Sequence, residues 1–220
     1  MFKINKMDLL VSIYIFCVVV AELMGGKTFF IADIGGFHLN SSVSIFLLPI
    51  VFSINDIITE VYGKDRTRSL IRSSLIVIIL IILFSLLATK LPASSRFLTN
   101  EKAYETIFNI SIRFSLASLA AFALAEFTDV FIFSRIRERF GRDNLWLRNN
   151  VSNFIAQFID TTTFMFLVFY ILEKSFIDNL GFIFGLILPY WLLKCFMSVI
   201  DTPFVYLGTK WLKNCRKENI

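Results

Sequence analysis

The sequence predicts an all-α integral membrane protein, a single domain of six transmembrane helices with both termini in the cytoplasm. Three observations predict it. Of 220 residues, 56% are hydrophobic and only 18% charged, and the mean hydropathy is +0.71. A water-soluble domain carries about a quarter charged residues, so there is too little polar surface here to cover a soluble globule. Six windows are long and apolar enough to cross a bilayer, which takes about 20 residues. They are 9–31, 43–62, 70–91, 107–133, 151–172 and 180–207. Finally, the Lys and Arg residues alternate between loops. Fifteen lie at the N-terminus, in 64–72, in 135–148 and in 210–217, against four in the intervening loops. Positive charge gathers on the cytoplasmic side of membrane proteins, and this sets the orientation.

The same numbers exclude other classes. A soluble enzyme, a disordered chain and an ordinary nucleic-acid binder do not fit the composition. The net charge of +5 is a topology signal, met by anionic lipid headgroups without any nucleic acid. Cys17, Cys195 and Cys215 have neither disulfide nor metal-ligand spacing, and His38 is the only histidine, so no cofactor or metal is implied. The loops leave no room for a catalytic head, and no nucleophile–base motif is present. A membrane enzyme or a purely structural subunit is accordingly disfavoured.

Taken in order, the first span follows Lys3 and Lys6 like a secretory signal. It is too long for one and lacks a small-residue cleavage site, so it reads as a retained helix. The second carries Asp56 and Glu60 four residues apart, hence stacked on one face, with Asn55 and Thr59 alongside. The third holds no acidic residue. The fourth places Glu126 and Asp129 three apart, below Ser115 and Ser118. On the fifth, Asn153, Gln157, Asp160, Thr161 and Phe164 follow the spacing of a single helical face, and on the sixth Lys194, Ser198 and Asp201 do the same. Pro49, Pro189 and Pro203 interrupt the second and sixth helices. Pro203, beside Asp201, makes the sixth helix a candidate for a broken substrate-site helix or a simple kink.

Ionisable residues inside a bilayer are costly and mark function by default. The spans hold seven acids, Glu22, Asp56, Glu60, Glu126, Asp129, Asp160 and Asp201, against the bases Lys27, Arg113 and Lys194. Four helices thus present polar stripes towards a shared centre, the arrangement of a small polar solute transporter. Carboxylates accept hydrogen bonds, amides and lysine donate them, and aromatic rings stack. A planar heterocycle with a guanine-like edge fits this set, and the acid excess also suits a cationic ligand or proton coupling. Plainer roles stand beside these. Glu60 and Asp129 can pair with Arg66, Arg68, Arg135 or Arg137 at helix ends, and Lys194 can be counter-ion to Asp201 or Asp160. Arg113 and Lys27 can snorkel, and Gly181 and Gly185 can admit a close helix contact. Trp146, Trp191 and Trp211 lie near predicted helix ends, as in an interfacial belt. Asp56, Asp129 and Asp201 are 73 and 72 residues apart, the mark of either duplicated hairpins or evenly spaced helices.

The run Asn55-Asp56-Ile57-Ile58-Thr59-Glu60-Val61-Tyr62-Gly63 before basic residues resembles the signature of the queuosine precursor transporter family, earlier labelled a vitamin uptake family. Three further segments agree: Glu126-Phe127-Thr128-Asp129-Val130 before an Arg-rich loop, Arg148-Asn149-Asn150-x-Ser152 leading to Gln157-x-x-Asp160-Thr161, and the Lys194 helix. The resemblance covers about residues 9–210. It implies import across the cell membrane of 7-cyano-7-deazaguanine, 7-aminomethyl-7-deazaguanine or queuine for tRNA modification, and a fold akin to the substrate-binding subunits of energy-coupling-factor transporters. The polar faces match that chemistry and make Asp160, Gln157, Asn153, Glu126, Lys194 and Asp56 the expected substrate contacts, and Glu60, Asp129 and Asp201 the expected coupling or gating residues. Glu126 stands where the family often has Gln, an added carboxylate that suits the cationic aminomethyl compound. An alternative is a substrate-binding subunit that works with a separate ATP-driven module. The expected partners are the deazapurine and the bilayer, with a second copy or an energising module left open.

Overall fold

A computed structural model describes residues 5–34, 37–140 and 145–218. It is mostly helical, in the order α1 (Lys6–Met24), β1 (Thr28–Ile34), β2 (Phe37–Ser42), a short 3-10 helix (Val43–Phe46), α2 (Leu48–Tyr62), α3 (Lys64–Lys90), α4 (Leu98–Phe140), α5 (Leu145–Phe169) and α6 (Phe176–Glu218). Among the described residues, five helices are long and apolar enough to cross a membrane, and the described apolar part of α5, Phe154–Phe169, is shorter. The protein is an integral membrane protein.

Two expectations about backbone are corrected. The first span was expected to run to Ile31, but α1 stops at Met24, where Gly25 and Gly26 end it. The chain then forms a two-stranded hairpin, so the protein is not wholly α. The sixth helix was expected to be a broken helix or to carry a simple kink at proline; α6 is helical from Phe176 to Glu218, through both Pro189 and Pro203, so it is not broken there. Missing one N–H costs one rung of the helix ladder, and flanking rungs carry the helix past it.

The chain forms two compact units. The first comprises Met1–Lys27, Ser42–Ile112 and Phe196–Ile220. Its core joins Leu10 and Tyr14 of α1, Ile54, Ile57, Ile58 and Val61 of α2, Leu70 of α3 and Leu212 of α6. The α2 positions recur at three- and four-residue steps, which puts them on one helical face. The Tyr14 hydroxyl hydrogen-bonds the side chains of Ser74 and Asn55, and Thr59 shares a 2.7 Å hydrogen bond with Thr67 of α3. Asn55 and Thr59, expected to line the substrate centre, thus make these contacts within this unit. Gly63 joins α2 to α3 at φ 88°. That left-handed turn favours a residue without Cβ and explains the glycine that closes the Asn55–Gly63 run.

The second unit comprises Thr28–Ser41 and Arg113–Cys195. Phe114 of α4 packs edge-on against Phe164 (5.4 Å) and Phe169 (5.6 Å) of α5, beside the small Ala117 and against Val168. A Cβ on Gly185 of α6 would sit 2.5 Å from the His38 carbonyl oxygen of β2, whereas nothing lies within 4 Å of one on Gly181. The close approach expected of this glycine pair is real at one member only, and it admits a strand carbonyl rather than another helix.

Candidate functional site

Asp160 lies on α5 and Lys194 on α6, and the fold of the second unit brings them together. Lys194 Nζ donates to Asp160 Oδ2 at 2.7 Å and to Thr161 Oγ1 at 2.9 Å. The lysine side chain is 12% exposed and the aspartate 33%, so the ammonium is largely withdrawn while the carboxylate keeps an accessible side. Of the two counter-ions expected for Lys194, Asp160 meets it, while the Asp201 side chain lies outside the described residues. Because lysine has three donors and a carboxylate two acceptor oxygens, the pair retains hydrogen-bonding capacity beyond its mutual contact. Gln157 is half-buried on the same helix, one turn before Asp160 and Thr161.

Trp191 precedes Lys194 by three residues and so shares its side of α6. Its ring meets Phe158 edge-on at 5.5 Å and Phe154 at 6.3 Å. The indole is half-buried against α5, in a polar and aromatic cluster that spacing alone did not reveal.

Arg113 was expected to snorkel. Its Nε donates to the Leu167 carbonyl at 2.8 Å and its terminal nitrogen to the Tyr170 carbonyl at 2.6 Å. These carbonyls belong to the C-terminal end of α5, where a helix leaves acceptors unsatisfied and a cation is favoured. Asn179, only 3% exposed, secures the same connection. Its Oδ1 accepts from Ile171 N at 2.9 Å, and its Nδ2 donates to the carbonyls of Ile171, Lys174 and Ser175. Nothing in residue type or spacing marks Arg113 or Asn179 for this work, because their partners are backbone.

In the first unit Asp56 and Glu60 lie on the exposed side of α2, away from its buried isoleucines, and Glu22 is buried in α1. The side chains of Asn153, Glu126, Asp129 and Asp201 lie outside the described residues. Among the described residues, no group of three or more His, Cys, Asp or Glu has the geometry to hold a metal ion.

The sequence profile of the family described as "Putative vitamin uptake transporter" matches residues 42–208. A protein of Bacillus subtilis (strain 168) named "Probable queuosine precursor transporter" is 31% identical over 214 residues, 96% of this chain and 87% of that one. The chain belongs to the queuosine precursor transporter family. A second relative, "Queuosine precursor transporter" of Escherichia coli (strain K12), is 25% identical over 138 residues, covering 61% of this chain and 57% of its own. No solved structure matches. Membership makes the protein a multi-pass transporter of the cell membrane and not an enzyme, with a small-molecule substrate and the bilayer as its partners. The Asn55–Gly63 run, the Lys194–Asp160 pair and Gln157 all fall inside the matched residues.

Proposed function

We propose that this transporter imports a 7-deazaguanine precursor of queuosine, 7-cyano-7-deazaguanine or 7-aminomethyl-7-deazaguanine, with queuine as a further candidate. The observation that carries the reading is the Lys194–Asp160–Thr161 cluster, a charged and partly accessible group between two apolar helices. A carboxylate there can accept from the ring N–H and exocyclic amine of a deazaguanine together, and Gln157 or Lys194 can donate to its carbonyl. The names of both relatives point the same way. Asn153, Glu126 and Asp56 are proposed as further substrate contacts, and Glu60, Asp129 and Asp201 as coupling or gating residues, each because polar groups within apolar spans carry a cost that function offsets.

On this reading the chain is one transmembrane domain of six spans with cytoplasmic termini, and α5 completes the set. The basic loops support that orientation, and the family resemblance implies a fold akin to energy-coupling-factor substrate-binding subunits. The test is rescue of bacteria that neither make nor import these precursors. Cells expressing this protein receive each deazaguanine at nanomolar concentration, and queuosine in their tRNA is measured. Restored queuosine is expected with at least one compound. No restoration by any of them, with the protein verified in the membrane, overturns the substrate assignment.

A further inference from the structure

Among the described residues, the indole N–H of Trp191 is sealed from solvent with no acceptor within hydrogen-bonding distance, and the hydroxyl of Thr162 is likewise buried and unpartnered. Buried polar groups are nearly always hydrogen-bonded, because an orphaned donor forfeits its bond to water with no return. Here the orphan sits in a particular place. The ring is held edge-on by Phe158 and Phe154 of α5. Thr162 lies one turn beyond Phe158 and two beyond Phe154, on the same side of α5. One turn along α6 from Trp191 is Lys194, engaged by Asp160 and Thr161. Indole is a donor only, so the one kind of partner this N–H can take is an acceptor.

We propose that Trp191 is a substrate-binding residue whose Nε1–H donates to the ring carbonyl of the deazaguanine, next to the N–H edge that Asp160 accepts. This rests on the deazaguanine reading above. Two neighbouring edges of one heterocycle are then read by α5 and α6 at once, the acceptor edge by the indole and the donor edge by the carboxylate. A site with a built-in donor rejects ligands lacking the matching acceptor, since binding them leaves the donor unpaired.

The test measures binding to purified protein of 7-cyano-7-deazaguanine and of its thiocarbonyl analogue, which keeps the ring N–H but offers sulfur, a weak acceptor, in place of the carbonyl oxygen. Wild type should discriminate between them by about tenfold, the usual worth of one such hydrogen bond. Trp191→Phe, which keeps the aromatic contacts and removes only the donor, should bind the first compound about tenfold more weakly and lose the discrimination. Its thermal stability without ligand should be unchanged or higher, because an orphaned group has been removed. A Trp191→Phe protein that keeps wild-type affinity and discrimination overturns the proposal while leaving the substrate reading intact. Wild type that binds none of the deazaguanines defeats the substrate reading, and this inference with it. Should Trp191→Phe fold poorly, the indole N–H resonance of Trp191 in nitrogen-15-labelled protein, with Trp146 and Trp211 replaced by Phe, gives an independent readout. A downfield shift on adding ligand is expected, and an unmoved resonance at saturation overturns the proposal.

Discussion

An ammonium held between two apolar helices is stable only as part of its cluster, and this fixes how the residues of the second unit should respond to mutation. Removing one partner of a withdrawn ion pair leaves the other charge unbalanced, whereas removing both costs much less. Asp160→Asn leaves Lys194 with Thr161 and a neutral amide; Lys194→Met leaves the Asp160 carboxylate without its cation. Each single change should lower stability in detergent by about 1–3 kcal/mol, with Lys194→Met the milder because Asp160 is the more exposed partner. The double variant should be more stable than the sum of the singles predicts, a coupling seen directly in the melting temperatures of the four proteins. Additive effects would show that the 2.7 Å contact contributes nothing. Substrate binding should be lost in both single variants and remain lost in the double, which separates the residues' part in recognition from their part in the fold.

At the scale of elements, the glycines of α6 offer a contrast within one helix. Alanine is favoured over glycine in a helix by about 1 kcal/mol. Gly181→Ala meets nothing within 4 Å and should raise the melting temperature. Gly185→Ala places a methyl 2.5 Å from the His38 carbonyl oxygen; the strand must move, and a loss of about 1–3 kcal/mol is expected from overpacking. Equal shifts in the two variants would mean that the hairpin does not rest on α6. The helices themselves were legible because about 20 apolar residues in a row have few other uses. The hairpin was not: Thr28-Phe29-Phe30-Ile31 extends the apolar run of α1, and composition cannot tell a strand from the end of a span. Acidic and basic residues on the faces of α5 and α6 were legible as a site through helical spacing, which brought Gln157, Asp160 and Lys194 forward. Spacing did not give the partner choice of Lys194, the capping role of Arg113 or the orphaned Trp191 donor. Each of these depends on which helix lies beside which, and on backbone groups that carry no signature in the sequence.

For the whole molecule, the deciding variable is orientation, because the import proposed above requires the site to open first to the outside. The distribution of charge makes this testable without any substrate. Fifteen of the 22 Lys and Arg residues fall in segments assigned to the cytoplasm, and moving such a segment across a membrane is opposed by both its charge and the positive-inside bias. Ser94, in the exposed connection between α3 and α4, should then face outwards. Asp65, at the start of α3 beside Arg66 and Arg68, should face the cytoplasm, although the two residues are only one helix apart. In a protein whose Cys17, Cys195 and Cys215 are replaced by serine, Ser94→Cys should react with a membrane-impermeant maleimide in intact cells. Asp65→Cys should react only after the membrane is permeabilised. The reverse pattern would place both termini outside and turn the transporter over. Labelling of both cysteines in intact cells would mean that α3 does not span at all. Because α3 is long and the most apolar of the candidate spans among the described residues, its span is the firmest available reference, and the sidedness of every other helix can be counted from it.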